Sequence, residues 1–270
     1  MRYWSHSVTL VEGCTPVSEG CGHCWSAAIC QRFSKGVYEG SKYTSFTDID
    51  GKYKGNIRIR EDRLPELLKG KDKVIQIWND LMHKNVPDEF IQQFHEHLSP
   101  KNTYLVLTKR AERMQDFYSK QQYADSDLHG NVFFGVTCES QKYAIERIPY
   151  LLKVPGKKWL SIEPLLSEMH IRAYLGQCEC GYFETEHGDP SVPCTKFKSA
   201  ISQVVVGCET GKNARPCEYK WIASVVEQCQ EYRVPCFVKA INLNGKITSD
   251  ITKFPESLRV RELAWRNDNK

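Results

Sequence analysis

The chain has 270 residues, 41% hydrophobic and 26% charged, with a formal charge of +4. That balance excludes a disordered, collagen-like or low-complexity chain and suits one large globular α/β unit. No run of about 18 apolar residues is present, so no transmembrane helix and no membrane partner are expected. The mild positive charge permits a nucleic-acid or phosphate partner without demanding one. The opening Met1-Arg-Tyr-Trp-Ser-His-Ser7 has no signal-peptide core, and a cytoplasmic protein is expected.

Strand-like runs recur along the chain. In order they are Ser7–Val11, Lys73–Trp78, Thr103–Thr108, Asn131–Thr137, Lys158–Ile162, Gln203–Gly207 and Pro235–Lys239. Each is short, apolar and rich in β-branched or aromatic residues, as in a parallel sheet covered on both faces. Helical patterns lie between them. Pro87–Leu98 places Phe90, Ile91, Phe94 and Leu98 on one face, and Gln141–Leu152 and Tyr219–Tyr232 behave alike. The alternation predicts an α/β fold, a partial or full parallel (β/α) barrel over residues 1–241. Residues 36–73 read as a loop or small subdomain, 176–199 as a cysteine-containing insertion, and 242–270 as a tail packed on the barrel.

Polar residues stand just past the strand ends: Asn79-Asp80, Lys109-Arg110, Cys138-Glu139, Glu163-Pro164, Cys208-Glu209 and Lys239. In a parallel barrel those ends converge on one mouth, where ligands bind. A shared site is therefore expected there.

Twelve cysteines in a cytosolic chain point to metal where they cluster and to core packing where they scatter. Cys14, Cys21 and Cys24 form a C-x6-C-x2-C run. Three thiolates on one loop can hold three irons of a [4Fe–4S] cluster, leaving the fourth open to a small ligand. A zinc site is the alternative, because C-x2-C is common in zinc proteins. Cys178, Cys180, His187 and Cys194, inside the insertion, are donors enough for a structural zinc, with a second cluster or unligated thiols as the other readings.

Several motifs then resemble a known family. They are Gly13-Cys-Thr-Pro-Val-Ser-Glu-Gly-Cys-Gly-His-Cys24, Asp80-Leu-Met-His83, Leu107-Thr-Lys-Arg110, Gly135-Val-Thr-Cys-Glu139, Ser161-Ile-Glu-Pro-Leu-Leu166, Val206-Gly-Cys-Glu-Thr-Gly211 and Val234-Pro-Cys-Phe-Val-Lys239. Over about residues 4–240 the chain resembles a phage- and bacteria-encoded family of radical-SAM-like proteins with a three-cysteine motif. The first spacing, six rather than the three common in that superfamily, departs from its pattern. Trp25 stands where the family usually has tyrosine.

The resemblance implies a radical SAM barrel and a [4Fe–4S] cluster on Cys14, Cys21 and Cys24. It also implies S-adenosylmethionine (SAM) on the open iron and an external electron donor. Reductive SAM cleavage would then remove hydrogen from a polar small molecule, a nucleotide or a nucleic-acid base. His23, Asn79, Asp80, Thr137, Glu139 and Arg147 become candidate SAM-binding residues. Asp80 would face the ammonium and Arg147 the carboxylate; a helix cap and a surface arginine are their plain alternatives. Glu163 and Lys239 become candidates on the substrate side, joined at the mouth by Lys109, Glu209 and Arg215. Cys138 and Cys208 are candidate hydrogen donors, or simply core thiols. Family members often sit beside a "three-Cys-motif partner" protein, which implies a protein partner. The competing classes are a metal-stapled nucleic-acid-binding module without catalysis and a zinc-dependent hydrolase. His6, His83 and His129 lack ligand spacing for the latter.

Overall fold

The computed structural model describes residues 2–34, 46–120, 130–178, 197–211 and 213–265. All seven apolar runs contribute strands to one eight-stranded sheet. These are β1 (His6–Thr9), β4 (Val74–Trp78), β5 (Thr103–Thr108), β6 (Val132–Thr137), β7 (Lys157–Ile162), β10 (Gln203–Gly207) and β11 (Cys236–Leu243). The sheet order is β1-β4-β5-β6-β7-β10-β11-β12, with β12 at Lys246–Thr248. Neighbours are parallel from β1 to β11, and β12 runs antiparallel to β11. Strand order follows chain order, so all the C-terminal ends of the parallel strands lie on one side. Among the described residues no pairing joins β1 to β12, so the sheet is open and the closed form of the expected barrel is not adopted.

Alternation along each strand separates two faces. Ile75, Ile77, Tyr104, Val106, Phe134, Val136, Leu160, Ile162, Val204, Val206 and Val238 pack in one core with the helices. Those helices are α2 (Asp88–Glu96), α3 (Ala111–Tyr118), α4 (Gln141–Leu152) and α6 (Tyr219–Glu231). Two others are α1 (Trp25–Ser34) and the single turn α5 (Arg172–Leu175). On the opposite face Val74, Leu105, Phe133, Trp159, Val205 and Phe237 form a second core with Tyr3 and Trp265. Trp159 plugs this face, donating through Nε1 to the carbonyls of Val106 (3.1 Å) and Phe133 (3.2 Å). Its ring lies over Gly135, where any Cβ would overlap the indole.

The remaining strands are short. β2 (Val11–Gly13) pairs antiparallel with β3 (Ile57–Ile59), giving the 36–73 region an ordered edge beside the cysteine loop. β8 (Gly176–Cys178) and β9 (Phe197–Ser199) pair antiparallel at the base of the 176–199 insertion. Cys178 ends β8, while Cys180, His187 and Cys194 lie outside the described residues. The boundary expected at residue 241 falls inside β11. That strand runs on and turns at Asn244-Gly245, both at positive φ (50° and 80°), into β12. A two-residue turn with both φ positive matches the twist of a hairpin. Further on, Trp265 closes over the sheet and donates to the carbonyl of Tyr3 at 2.9 Å. No described helix is long and apolar enough to cross a membrane.

Candidate functional site

The inward alternation does not stop at the Trp159 plug. Carried toward the C-terminal strand ends it reaches Gln76, Trp78, Leu107, Lys109, Thr137, Ser161, Glu163, Glu209 and Lys239. All of these line one cavity of about 440 Å³. That volume accommodates a small molecule or cofactor. Cys14, Cys21, His23 and Cys24 line the same cavity from the loop between β2 and α1. The structure therefore brings the cysteine run and residues of six parallel strands (β4, β5, β6, β7, β10 and β11) to one place.

The loop is fixed at several points. Arg110 donates through Nη2 to the carbonyl of Thr15 at 2.9 Å, and Thr15 Oγ1 lies 2.7 Å from His83 Nε2. Ser18 donates to Glu139, and Lys109 Nζ donates to both Ser18 Oγ and Glu139 Oε1 at 2.9 Å. Gly20 sits against this pair, since a Cβ there would fall 2.7 Å from Glu139 Oε1 and from Lys109 Nζ. Arg215 Nη1 donates to the carbonyl of Glu19 at 2.9 Å. Its other nitrogens bind Glu209, whose Oε2 also lies 2.9 Å from His23 Nδ1.

These contacts make the three thiols unequal. Burial opposes ionisation of Cys21, but the Lys109 ammonium and hydrogen bonds from the Val17–Ser18 segment outweigh it and lower its pKa. Burial, with the Asp80 carboxylate adding to it, pushes Cys14 up to about 12 against the pull of Arg110. Burial also raises Cys24. The three are free and half-buried, a donor set chemically suited to metal. Among the described residues no three His, Cys, Asp or Glu side chains gather as ligands of a single ion would.

The charged residues at the strand ends fall into four buried or half-buried groups, each built on one carboxylate. Glu139, fully buried, binds Lys109 through Oε1 and Arg147 Nη1 through Oε2 (2.9 Å). Burial disfavours its charge, yet Lys109, Arg147 and Ser18 together hold its pKa below the ordinary value. Arg147 is 2% exposed and also donates to the carbonyl of Thr137 at 2.7 Å. It stands behind Glu139, outside the cavity lining, rather than at a ligand carboxylate. Asp80 is likewise engaged by Arg110, by the Thr108 hydroxyl (2.7 Å) and by the backbone N–H of Met82 (2.9 Å). The last contact closes a local turn; the helix cap open to Asp80 from sequence is not formed, because the next helix, α2, begins only at Asp88. Glu209 would be raised by burial, but Arg215, through side chain and backbone, and His23 lower it to about 2.

Glu163 and Lys239 are brought together, Nζ lying 3.1 Å from Oε1 and 3.2 Å from Oε2. Both line the cavity, and the Glu163–Pro164 peptide is cis. Asn79, at φ 63°, accepts from Ser26 Oγ (2.6 Å) and donates to the carbonyl of Val11 (2.9 Å). Cys138 is fully buried, with its thiol pKa raised by burial, and does not line the cavity; Cys208 does. Sequence reasoning missed Ser18, Arg110 as an anchor, Tyr53, and the aromatic residues Trp4, Trp25 and Trp78 of the cavity wall. A period-two count along each strand marks Trp78, Arg110 stands past a strand end and Trp25 departs from the family's tyrosine, but nothing local marks Ser18, Tyr53 or Trp4.

A family model described as "Protein of unknown function (DUF5131)" matches residues 1–259, and the chain belongs to that family. No curated protein and no solved structure matches it.

Proposed function

We propose that this DUF5131 member is a radical SAM-type enzyme built on an open (β/α) half-barrel. It would act on a polar substrate of nucleoside, nucleotide or nucleic-acid type. The observation that carries the reading is the convergence of Cys14, Cys21 and Cys24 with residues of six parallel strands on one cavity. When bound, a [4Fe–4S] cluster with SAM supplies one-electron reduction of a sulfonium and hydrogen abstraction from an unactivated C–H bond.

The chain's own residues would prepare that chemistry. Cys14, Cys21 and Cys24 would hold the irons. The Lys109–Glu139–Arg147 network fixes the first half of the loop, and Arg215–Glu209–His23 fixes the second. Asp80 and Arg147 are committed to these structural pairs, so SAM would meet Asn79, Thr137 and the backbone instead. Lys239 and Glu163, paired but open to the cavity, would exchange their mutual contact for a substrate's polar groups. The external electron donor and a protein partner would dock from the mouth side, and a reducing cytoplasmic setting would suit the free thiols.

Anaerobic reconstitution with iron and sulfide, followed by reduction and addition of SAM, tests the reading. Cluster-dependent 5′-deoxyadenosine in the wild type, absent in Cys21→Ala, is the expected result. Zinc at the three thiols with no cluster would overturn it and favour a metal-stapled binding module.

A further inference from the structure

The cavity wall carries an aromatic surface that the loop network does not use. Trp25 and Trp78 stack with ring centroids 5.4 Å apart and an 8° angle between planes. Trp78 is held from below, because its Nε1 donates to Ser26 Oγ at 3.0 Å. Ser26 in turn is fixed by Asn79 (2.6 Å) and the Tyr53 hydroxyl (2.7 Å). Trp25 therefore rests on an immobile base, yet it is 56% exposed and lines the cavity. A large aromatic held flat, with an open side at a cavity, offers stacking at low entropic cost.

Charge at the same cavity is uneven. Among the described residues the lining cations Lys109, Arg110 and Lys239 each pair with a carboxylate. The lining carboxylate Glu209 is satisfied by Arg215. Arg2 also lines the cavity, is exposed, and has no carboxylate partner among the described residues; its guanidinium lies 5.4 Å from the Trp4 ring centroid. The cavity thus combines a rigid aromatic platform with one cation left for an anion.

From these two observations we infer that the Trp25–Trp78 platform and Arg2 form a nucleotide subsite. The base stacks on Trp25 and a phosphate is neutralised by Arg2. Stacking on an aromatic is tolerant of base identity, so the subsite selects a nucleotide rather than one base. The inference rests on this cavity being the reaction site, as proposed above, and it names the substrate class. The nucleotide can be free or part of a single strand, and the two sources share this chemistry.

The test is equilibrium binding to the reconstituted protein. The probes are dTMP, a fluorescein-labelled ten-residue oligothymidylate, inorganic phosphate and SAM. Trp25→Ala is expected to weaken dTMP or oligonucleotide binding about 5- to 100-fold, with Trp25→Phe retaining most of it. Arg2→Gln is expected to weaken binding and to flatten its logarithmic salt slope by about 0.7. Tight oligonucleotide but weak dTMP binding would assign the strand as the source, and equal affinities the free nucleotide. Unchanged nucleotide affinity in Trp25→Ala, or a loss confined to SAM, would overturn the subsite. SAM cleavage measured on the same preparations reads the reaction class independently, so loss of one result leaves the other standing.

Discussion

Glu139→Gln removes one charge and almost no volume from the point where the cysteine loop meets the sheet. In the native chain this carboxylate is fully buried and bound by Lys109, Ser18 and Arg147. The amide would keep one acceptor oxygen but turn a second donor toward these donors. Breaking a buried pair by removing one partner costs about 3–5 kcal/mol. Lys109 is only partly buried and recovers water, so the loss comes mainly from Arg147, and about 3 kcal/mol is expected. For a chain of this size that lowers Tm by roughly 6–12 °C. The acid dependence has a defined sign. Glu139 has a folded pKa below its unfolded value. Its contribution is therefore complete above the unfolded carboxyl pKa of about 4.3 and lost as pH falls through the depressed folded value. The gap in urea midpoint between wild type and variant is expected to be flat near neutrality and to close in acid. Adding Arg147→Met removes the stranded cation and should restore most of the stability, because buried pairs replaced by apolar groups are often neutral. Iron bound after reconstitution should stay low in the double variant, because Ser18 and Lys109 remain without their acceptor. A Glu139→Gln cost below about 1 kcal/mol, or strictly additive variants, would refute the buried-network argument.

Other consequences follow from the same structure. Lys239 is 35% exposed on its side chain, so Lys239→Met should change stability by no more than about 1 kcal/mol and leave iron content intact. If the cavity takes a nucleotide as proposed above, dTMP binding should fall, which calorimetry would show. Gly135→Ala should destabilise by about 1–3 kcal/mol in chemical denaturation, because Trp159 is pinned by two carbonyls and cannot yield. Glu209→Gln should reduce stability at neutral pH, with the deficit closing only as pH falls from about 4.3 toward the folded pKa of about 2. Cys138→Ala should lower stability and, under the function proposed above, leave SAM cleavage unchanged, since this thiol is buried away from the cavity.

The sequence carried the strands and their order of use because parallel strands covered on both faces are continuous apolar runs, and each run here is one strand. It carried the common mouth because polar residues recur at the ends of those runs. The Asn244-Gly245 hairpin was equally visible, as a turn dipeptide with a mechanism, but the region was read as a tail. β2 and β3, three residues each, have too little length for any period to show. Ion-pair partners were hidden for a different reason. Asp80 meets Arg110 and Glu139 meets Lys109 across 30 residues of chain, on neighbouring strand ends, so the pairing is set by sheet register and not by local spacing. Arg147 reads from sequence as a ligand-carboxylate partner or a surface arginine, because its position on α4 says nothing of the Glu139 carboxylate behind which it is buried.

The six-residue spacer of the cysteine run, which departs from the common radical SAM pattern, acquires a physical account from those pairs. The spacer runs from Thr15 to Gly20. Thr15 is held by Arg110 and His83, Ser18 by Lys109 and Glu139, Glu19 by Arg215, and Gly20 is close-packed on the Lys109–Glu139 pair. A longer loop costs more closure entropy and holds its ligands less firmly unless it is ordered by other contacts. Here four of its six residues contact loop residues that follow separate strands of the sheet, β4, β5, β6 and β10. The added length is therefore compensated by pinning to residues in the cavity wall, Lys109 and Arg110, and just behind it, His83, Glu139 and Arg215. Shortening the spacer to three residues would remove Ser18 and its neighbours together with the contacts that position Cys21. Such a variant should bind less iron than the native loop despite matching the commoner spacing; iron content after reconstitution equal to or above the native value would show that the pinning contacts contribute nothing to the site.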